Sequence, residues 1–402
     1  MRFLIATDNL DDLARLHLRG FKHFLPDEWN GQMFDGTVVR LPLRTEESEL
    51  ANRKVDPEEI RTLFNDFVQH EIDVSMLFLQ HLRSINLIVI SPHGHLEEIA
   101  SCAVDVADLP HNGVTKKIVH TRGTGLTPRA QEWLVQSLHF EQQEALEHLR
   151  LRVPGLQEKV IKKHKLRPDV GIAFPLGVQT SVHGHLFTFL QLPLQTAFPV
   201  HVHAYFALLP SRAALRWQAE KGVVKGSEDQ YVASIILDPC LLIHIVSVLN
   251  EWNWVLFDRF IPKAWANLLS VLTHDFHENI FSAWPPLQTV KAFGQSNYWA
   301  TISRSVLNVV LDQRLAIWPA MYSQTYFDLE HILLVSSDTN ESVLRSLSNV
   351  GLRLCVPPTH IFALVAAQGN WQHRILTPET AYQALQVCYD SSRKSASDEL
   401  NV

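Results

Sequence analysis

The stretch HLFTFLQLPLQTAFPVHVHAYFAL, residues 185–208, gives the clearest indication of the fold. Its two apolar runs, 185–190 and 200–208, are rich in the β-branched and aromatic residues that strands favour. Similar short runs at 36–41, 87–90 and 170–174 predict further strands along the chain. The fold therefore contains a substantial β component.

Three helix starts alternate with these strands. Asp56-Pro57, Thr127-Pro128 and Thr377-Pro378 each place a capping side chain before a proline, which suits the first turn of a helix. Near the C-terminus, a strand at 331–335, a helix at 341–350 stopped by Gly351 and a strand at 352–356 predict a β-α-β unit. We expect a mixed α+β fold with two-layer lobes of sheet and helix.

Composition indicates a folded protein with a mildly acidic surface. The chain has 402 residues, 46% of them hydrophobic and 19% charged, and a formal net charge of −7. Such a composition excludes wholesale disorder. Because phosphate backbones require a clustered positive field, the charge also predicts no nucleic-acid partner.

The cysteines and the most apolar segment indicate the compartment. Cys102, Cys240, Cys355 and Cys388 are scattered, so we expect no disulfide framework and a reducing, cytoplasmic environment. The apolar segment 232–249 is interrupted by Asp238-Pro239, which leaves too few apolar residues for a membrane span. We therefore expect no membrane partner.

Two H-x-H pairs, His183/His185 and His201/His203, stand out among 21 histidines. Residues i and i+2 of a strand share a face, so two such strands could offer four imidazole nitrogens to a metal ion. Since no carboxylates or thiolates accompany them in sequence, ordinary strand histidines are favoured. A metal site stays as the alternative, and the prediction is no metal and no cofactor.

Motifs of catalysis and nucleotide binding are missing from the sequence. It has no G-x-S-x-G elbow and no glycine-rich phosphate loop, so we expect no enzyme activity from this chain alone. A basic stretch at 150–167 is interpreted as a solvent-exposed helix face and loop. The alternative for that stretch is a patch that binds phosphate or a partner.

Three longer motifs resemble the sacsin family. FTFLQLPLQTAFPVHVHAYFAL, residues 187–208, is similar to part of the sacsin repeat region. EWNWVLFD and IPKAWANLL, residues 251–258 and 261–269, resemble its W-N and P-A-Y-A-x-L-L segments. FDGTVVRLPLRT, residues 34–45, is similar to another family segment, and the resemblance covers about residues 20–388.

The resemblance implies a particular place in a larger architecture. In the family, an ATP-binding domain similar to that of the ninety-kilodalton heat-shock chaperones precedes a region that resembles the chaperone middle domain. The helix with Glu and Asn and the D-x-G-x-G turn that bind nucleotide are not found in this sequence. We expect a remnant final strand and connecting helix at 1–84, a middle-domain-like region at 85–275 and a smaller α/β lobe at 276–402.

Two arginines are weak candidates for facing a nucleotide phosphate. Arg212 matches the first residue of the family's R-R pair, but Ala213 replaces the second; Arg44 is the other candidate. His201 matches a family position, which favours a structural role, whereas His203 stands where the family more often has Asn.

The resemblance implies a non-catalytic chaperone, co-chaperone or scaffolding module that binds protein clients or an ATP-binding partner domain. One alternative is an ATPase component completed by a nucleotide-binding domain, and another is a degenerate gene fragment. The segment 232–249 departs from the family pattern, and is interpreted either as a translated intron or as an extra pair of strands.

Overall fold

The computed structural model describes residues 56–90, 93, 95–111, 113–177, 184–209, 214–215, 239–286 and 296–399, with backbone alone at 239–243, 278, 296–300 and 390–399. The chain divides into two compact units, Met1–Phe67 and Val68–Val402. Helix α1, Pro57–His70, begins where the sequence predicts, and the Asp56 carboxylate accepts the N–H of Glu58 at 3.0 Å. The predicted strand at 36–41 lies outside the described residues.

An eight-stranded sheet dominates the second unit, with strand order β1-β2-β3-β4-β5-β8-β6-β7. Its neighbouring strands are antiparallel, except that β6 runs parallel to β8. The strands are β1 Ser84–Ile90, β2 Leu96–Asp108, β3 Val114–Gly123, β4 Leu126–His139, β5 Asp169–Pro175, β6 His185–Thr188, β7 Leu190–Gln195 and β8 His201–Ala204.

Helices follow and interrupt this sheet, which confirms the predicted α+β class. They are α2 Ile72–Ser75, α3 Gln142–Arg152, α4 Glu158–Lys163, α5 Pro239–Val255, α6 Ile261–Asp275, α7 Ser296–Asp312, α8 Glu341–Asn349, α9 Thr359–Ala366 and α10 Pro378–Glu399. A π-helical turn, Leu256–Phe260, joins α5 to α6. None of the helices in the described part of the chain is long and apolar enough to cross a membrane.

The C-terminal part contains two small strand pairs. β9 Trp318–Pro319 and β10 Tyr326–Phe327 are antiparallel, whereas β11 Leu333–Leu334 and β12 Leu354–Cys355 are parallel and flank α8. Gly351 follows α8 with a φ of 95°, a conformation that glycine adopts without a steric penalty. The predicted β-α-β unit is therefore confirmed.

The predicted helix at Thr127-Pro128 is wrong, because residues 126–139 form strand β4. β4 pairs with both β3 and β5, and those tertiary pairings override a local start signal. The register between β3 and β4 shifts opposite Pro128, which has no N–H to donate. The helix begins instead at Gln142, and buries Leu146 and Leu149.

Other elements also differ from their predicted form. The run 185–190 divides into β6 and β7 at Phe189, and the predicted strand 200–208 is shorter. Within the apolar segment 232–249, residues 239–249 belong to helix α5, so a pair of strands is wrong for that part; 232–238 lies outside the described residues.

The central strands have one helix-covered face and one open face. On the covered face, which we call the helical face, Leu134, Ile172 and Val202 are buried in one core with α3, α5 and α6. The opposite surface of β2 to β5 and β8 is called the cleft face. Residues at alternate positions, such as Lys117, His139 and Asp169, lie on it, because side chains of a strand alternate between faces. The helical face thus holds the sheet in place while the cleft face carries polar groups.

Candidate functional site

A cleft of about 1130 Å³ lies on the cleft face, bounded by residues 77–83 on one side. Strands β2 to β5 and β8 supply its floor. Its charged and histidine lining consists of His81, Arg83, Asp108, His111, Lys117, His139, Arg167, Asp169 and His203, and its aromatic lining of Phe78, Phe189 and Tyr205. An open, largely preformed concavity with apolar walls and a few polar groups is the usual form of a binding site.

Lys117 holds one side of the cleft, the segment 76–83, which we call the wall. Its Nζ donates to the carbonyl oxygen of Leu77 at 2.7 Å and to those of Met76 and Leu79 at 3.4 Å. Burial, and then the nearby charge of Arg83, lowers the pKa of Lys117 to about 8. The ammonium is therefore still mostly protonated at neutral pH, and its donors are used by the wall.

A second contact seats the wall on the sheet. The ring of Phe78 lies over Gly171 of β5, where an added Cβ would meet ring atoms at 2.9 Å. The same ring contacts Phe187 and His203, with centroids 5.0 and 5.2 Å away. Glycine is thus required at 171 for the wall to approach this closely.

Further upstream, Asp73 of helix α2 anchors the segment that leads into the wall. Thr121 donates its hydroxyl to Asp73 at 2.5 Å, and Arg129 forms an ion pair with the same carboxylate. Cys102 donates its thiol to the Ile72 carbonyl at 3.5 Å. Side chains from three strands therefore tie α2 and the wall to the sheet.

One end of the cleft is organised around Asp169. Its Oδ1 lies 3.2 Å from Nδ1 of His139, and its Oδ2 lies 2.7 Å from a terminal nitrogen of Arg167. The Arg167 guanidinium stacks over the Tyr205 ring at 5.4 Å. The Asp169 side chain is buried, whereas His139 and Arg167 are exposed, so one carboxylate orients two groups that reach into the cleft.

The H-x-H histidines on β8 serve the backbone. His201 Nδ1 accepts the N–H of His185 at 3.0 Å, and His203 Nδ1 accepts the N–H of Phe189 at 3.2 Å. Burial lowers the pKa of His201 to about 3 and that of His203 to about 4. Both rings are therefore neutral, and they hold the two ends of β6.

The described histidines of the two pairs do not form a metal-binding group. The rings of His185 and His201 lie 5.8 Å apart, and His183 lies outside the described residues. Across the described part of the chain, no group of three or more His, Cys, Asp or Glu could hold a metal ion.

The predicted phosphate-facing residues Arg44 and Arg212 both lie outside the described residues. The basic stretch 150–167 does not form one patch. Arg150 pairs with Glu158, while Arg152 pairs with buried Glu251 and stacks over Trp254 at 5.2 Å. Arg167 is the member that reaches the cleft.

The W-N motif has a structural role that sequence reasoning missed. Trp252 Nε1 donates to the Tyr205 carbonyl at 2.8 Å. The Asn253 side chain accepts the Ala207 N–H at 2.7 Å and donates to the Ala207 carbonyl at 2.9 Å. The adjacent Trp and Asn of α5 therefore fix the segment that leaves β8, including Tyr205 of the cleft.

The cleft can bind by hydrogen bonding and stacking. The described thiols near the sheets are poor nucleophiles, because burial raises the pKa of Cys102 and raises that of Cys355 to about 12. Lys117, Asp169 and His139 were missed from the sequence because their partners are distant along the chain. Arg167 carried a signal as the last residue of the basic stretch, and His203 stood in an H-x-H pair.

Comparisons with known proteins point in one direction. A family model described as "Sacsin domain" matches residues 8–100. A human protein named "Sacsin" is 23% identical over 400 residues, which cover 88% of this chain and 8% of that protein. The chain thus spans less than a tenth of the length of that relative. No solved structure matches the chain. These findings confirm the resemblance to the sacsin family.

Proposed function

We propose that this sacsin-like chain is a non-catalytic chaperone, co-chaperone or scaffolding module of the cytoplasm. It binds segments of protein clients, or of an ATP-binding partner domain, in the cleft. The observation that carries the proposal is the cleft itself, about 1130 Å³ in volume and lined by both apolar and charged residues. The similarity to sacsin supports the role, and the reduced thiols of Cys102 and Cys355 support the compartment.

The chemistry of the cleft suits a segment of polypeptide. Phe189, Tyr205 and Leu82 offer apolar surface for side chains that an unfolded client exposes. Arg167 and His139 supply polar groups at one end of that surface. Such a lining binds by contact area and needs no covalent step.

A bulky residue in the cleft tests this proposal. Thr115 of β3 lines the cleft, so Thr115→Trp narrows it, whereas His120→Trp places the same side chain on the other face of the same strand. We expect the purified chain to suppress heat-induced aggregation of a test client without nucleotide, measured by light scattering. Thr115→Trp should raise the chain concentration needed for half-maximal suppression at least threefold, and His120→Trp should leave it unchanged.

Two results would contradict the proposal. One is a chain that, although folded, does not slow aggregation at any ratio to client. The other is hydrolysis of ATP by the purified chain alone, measured as phosphate release, which would favour an ATPase component instead.

A further inference from the structure

The end of the cleft around Asp169 carries two exposed polar side chains that the carboxylate orients. His139 ends β4 and Asp169 begins β5, and the two are paired across the strands. The Asp169 side chain is 11% exposed, while those of Arg167 and His139 are 57% and 63% exposed. A guanidinium has five N–H donors, and the contact with Asp169 uses only part of that set. The Asp169 carboxylate therefore orients the Arg167 guanidinium, which we call the fork, and leaves some of its N–H donors available to a ligand.

An aromatic rim lies beside this fork. Phe189 and Tyr205 are in edge contact at 5.2 Å, and the guanidinium of Arg167 stacks on Tyr205. Phe189 remains 37% exposed. The Tyr205 ring and the Asp169 carboxylate hold the guanidinium beside this rim, where its remaining donors can meet a bidentate partner.

The backbone of Phe189 is strained to maintain this rim. Its φ is 62°, in the left-handed region that bulky residues rarely adopt. The N–H of Phe189 donates to His203 Nδ1, which holds that conformation in place. Strain of this kind is concentrated at ligand-binding sites, where the surrounding structure offsets its cost.

The charge of the cleft selects the ligand. At neutral pH its lining has three cationic side chains, Arg83, Lys117 and Arg167, against two carboxylates, Asp108 and Asp169, although the whole chain carries −7. A carboxylate matches the fork of a guanidinium, and a neighbouring apolar side chain matches the rim. The two subsites lie side by side on one surface, which the side chains of residues i and i+2 of an extended peptide reach together.

The geometry points to an acidic-apolar peptide site: the Arg167 guanidinium binds the carboxylate of an Asp or Glu side chain, and Phe189 and Tyr205 bind an apolar side chain on the same side of the peptide. This inference rests on the proposed function and specifies the client segments that the cleft prefers. Asp169 acts as a positioning residue, because it orients Arg167 and His139 rather than contacting the peptide.

Peptide binding by the full chain tests the site. The probe is a fluorescein-labelled ten-residue peptide of repeated Leu-Leu-Glu-Glu, which places Leu and Glu two residues apart on one side of an extended chain. The comparison peptides replace Glu with Gln, Leu with Ser, or Glu with phosphoserine. We expect fluorescence anisotropy to show at least tenfold tighter binding of the Leu/Glu peptide than of the Leu/Gln and Ser/Glu peptides. The phosphoserine peptide should bind more weakly than the Leu/Glu peptide.

Variants separate the fork from the rim. Arg167→Gln should remove the preference for Glu over Gln, and Arg167→Lys should restore only part of it, because an ammonium lacks the planar fork. Arg122→Gln is the matched control, since Arg122 is exposed on β3 and pairs with Glu98. Phe189→Asn removes the apolar ring, and asparagine tolerates a left-handed backbone. This variant should bind the Leu/Glu and the Leu/Gln peptides more weakly, by the same factor. Melting temperatures establish that each variant is folded.

Equal binding of the Leu/Glu and Leu/Gln peptides would overturn the inference, as would the strongest binding by the phosphoserine peptide. If the chain still suppresses aggregation in that case, only this inference fails. If it neither suppresses aggregation nor binds any peptide, the proposed function fails with it.

Discussion

The helical face and the cleft face of the sheet share the same strands but have opposite chemistry. On β4, Leu134 enters the apolar core of the helical face, while the adjacent Trp133 and Val135 turn toward the cleft face. On β8, Val202 enters the same core, while its neighbours His201 and His203 lie on the cleft face. The helical face is held by apolar packing, whereas the cleft face combines buried apolar side chains such as Trp133 and Val135 with hydrogen bonds from Lys117 and the two histidines.

This difference teaches where the molecule can carry a binding function. On the helical face, packing encloses the central side chains, such as Leu134, so that they cannot contact a ligand. On the cleft face, a few buried polar residues hold the backbone and leave exposed groups, such as Arg167, for a ligand. Breaking either kind of restraint should therefore have different consequences.

The largest expected effect is on the helical face. Leu134→Ala leaves a cavity in a fully buried position and should lower the free energy of unfolding by about 2–5 kcal/mol. Leu82→Ala, the matched change at the cleft, removes a side chain that is 43% exposed and should cost less than about 0.5 kcal/mol. Urea unfolding monitored by tryptophan fluorescence measures both. Equal losses would contradict the asymmetry between the faces.

Lys117 provides the next test. Lys117→Met leaves the carbonyl oxygens of Met76, Leu77 and Leu79 without this donor, and should cost about 1–3 kcal/mol. Lys116→Met is its control, because the adjacent Lys116 forms only a partly exposed pair with Glu132, worth about 0–1 kcal/mol. Hydrogen exchange should accelerate in residues 76–83 of Lys117→Met alone. Unchanged exchange there would mean that Lys117 does not hold the wall.

The last test concerns pH. Burial lowers the pKa of His203 from 6.5 to about 4, so between these values the unfolded chain binds a proton that the folded chain does not. Stability must then fall as the pH drops from 6.5 toward 4, by at most about 1.4 kcal/mol per pH unit for this histidine. His201 contributes in the same direction.

His203→Asn isolates that contribution. An Asn oxygen can accept the Phe189 N–H in place of Nδ1, and it does not titrate. Unfolding free energies measured from pH 7 to pH 4.5 should therefore depend less steeply on pH in the variant. A slope equal to that of the parent chain would show that His203 titrates normally.

Local sequence signals predicted much of the fold. The helix start at Asp56-Pro57, the strand at 87–90 and the helix stop at Gly351 inside the β-α-β unit depend on neighbouring residues and are found where expected. The Thr127-Pro128 helix failed because strand pairing with β3 and β5 outweighs a local cap. Periodicity cannot report a partner that lies far along the chain.

The site was less accessible to sequence reasoning for the same reason. His139 and Asp169 are 30 residues apart, and Lys117 bonds to carbonyls some 40 residues earlier. The histidine pairs were conspicuous in sequence, yet their burial and backbone hydrogen bonds decide their role. Chemistry that depends on long-range register becomes visible only once the sheet is assembled.

The position of β8 has a consequence for biosynthesis. β8 lies between β5 and β6, although β6 and β7 precede it along the chain. The hairpin of β6 and β7 therefore has no place on the sheet until residue 204 has been translated and β8 has joined β5. A ribosome that stalls before that residue would hold a nascent chain with Phe189 and its rim detached from the rest of the cleft.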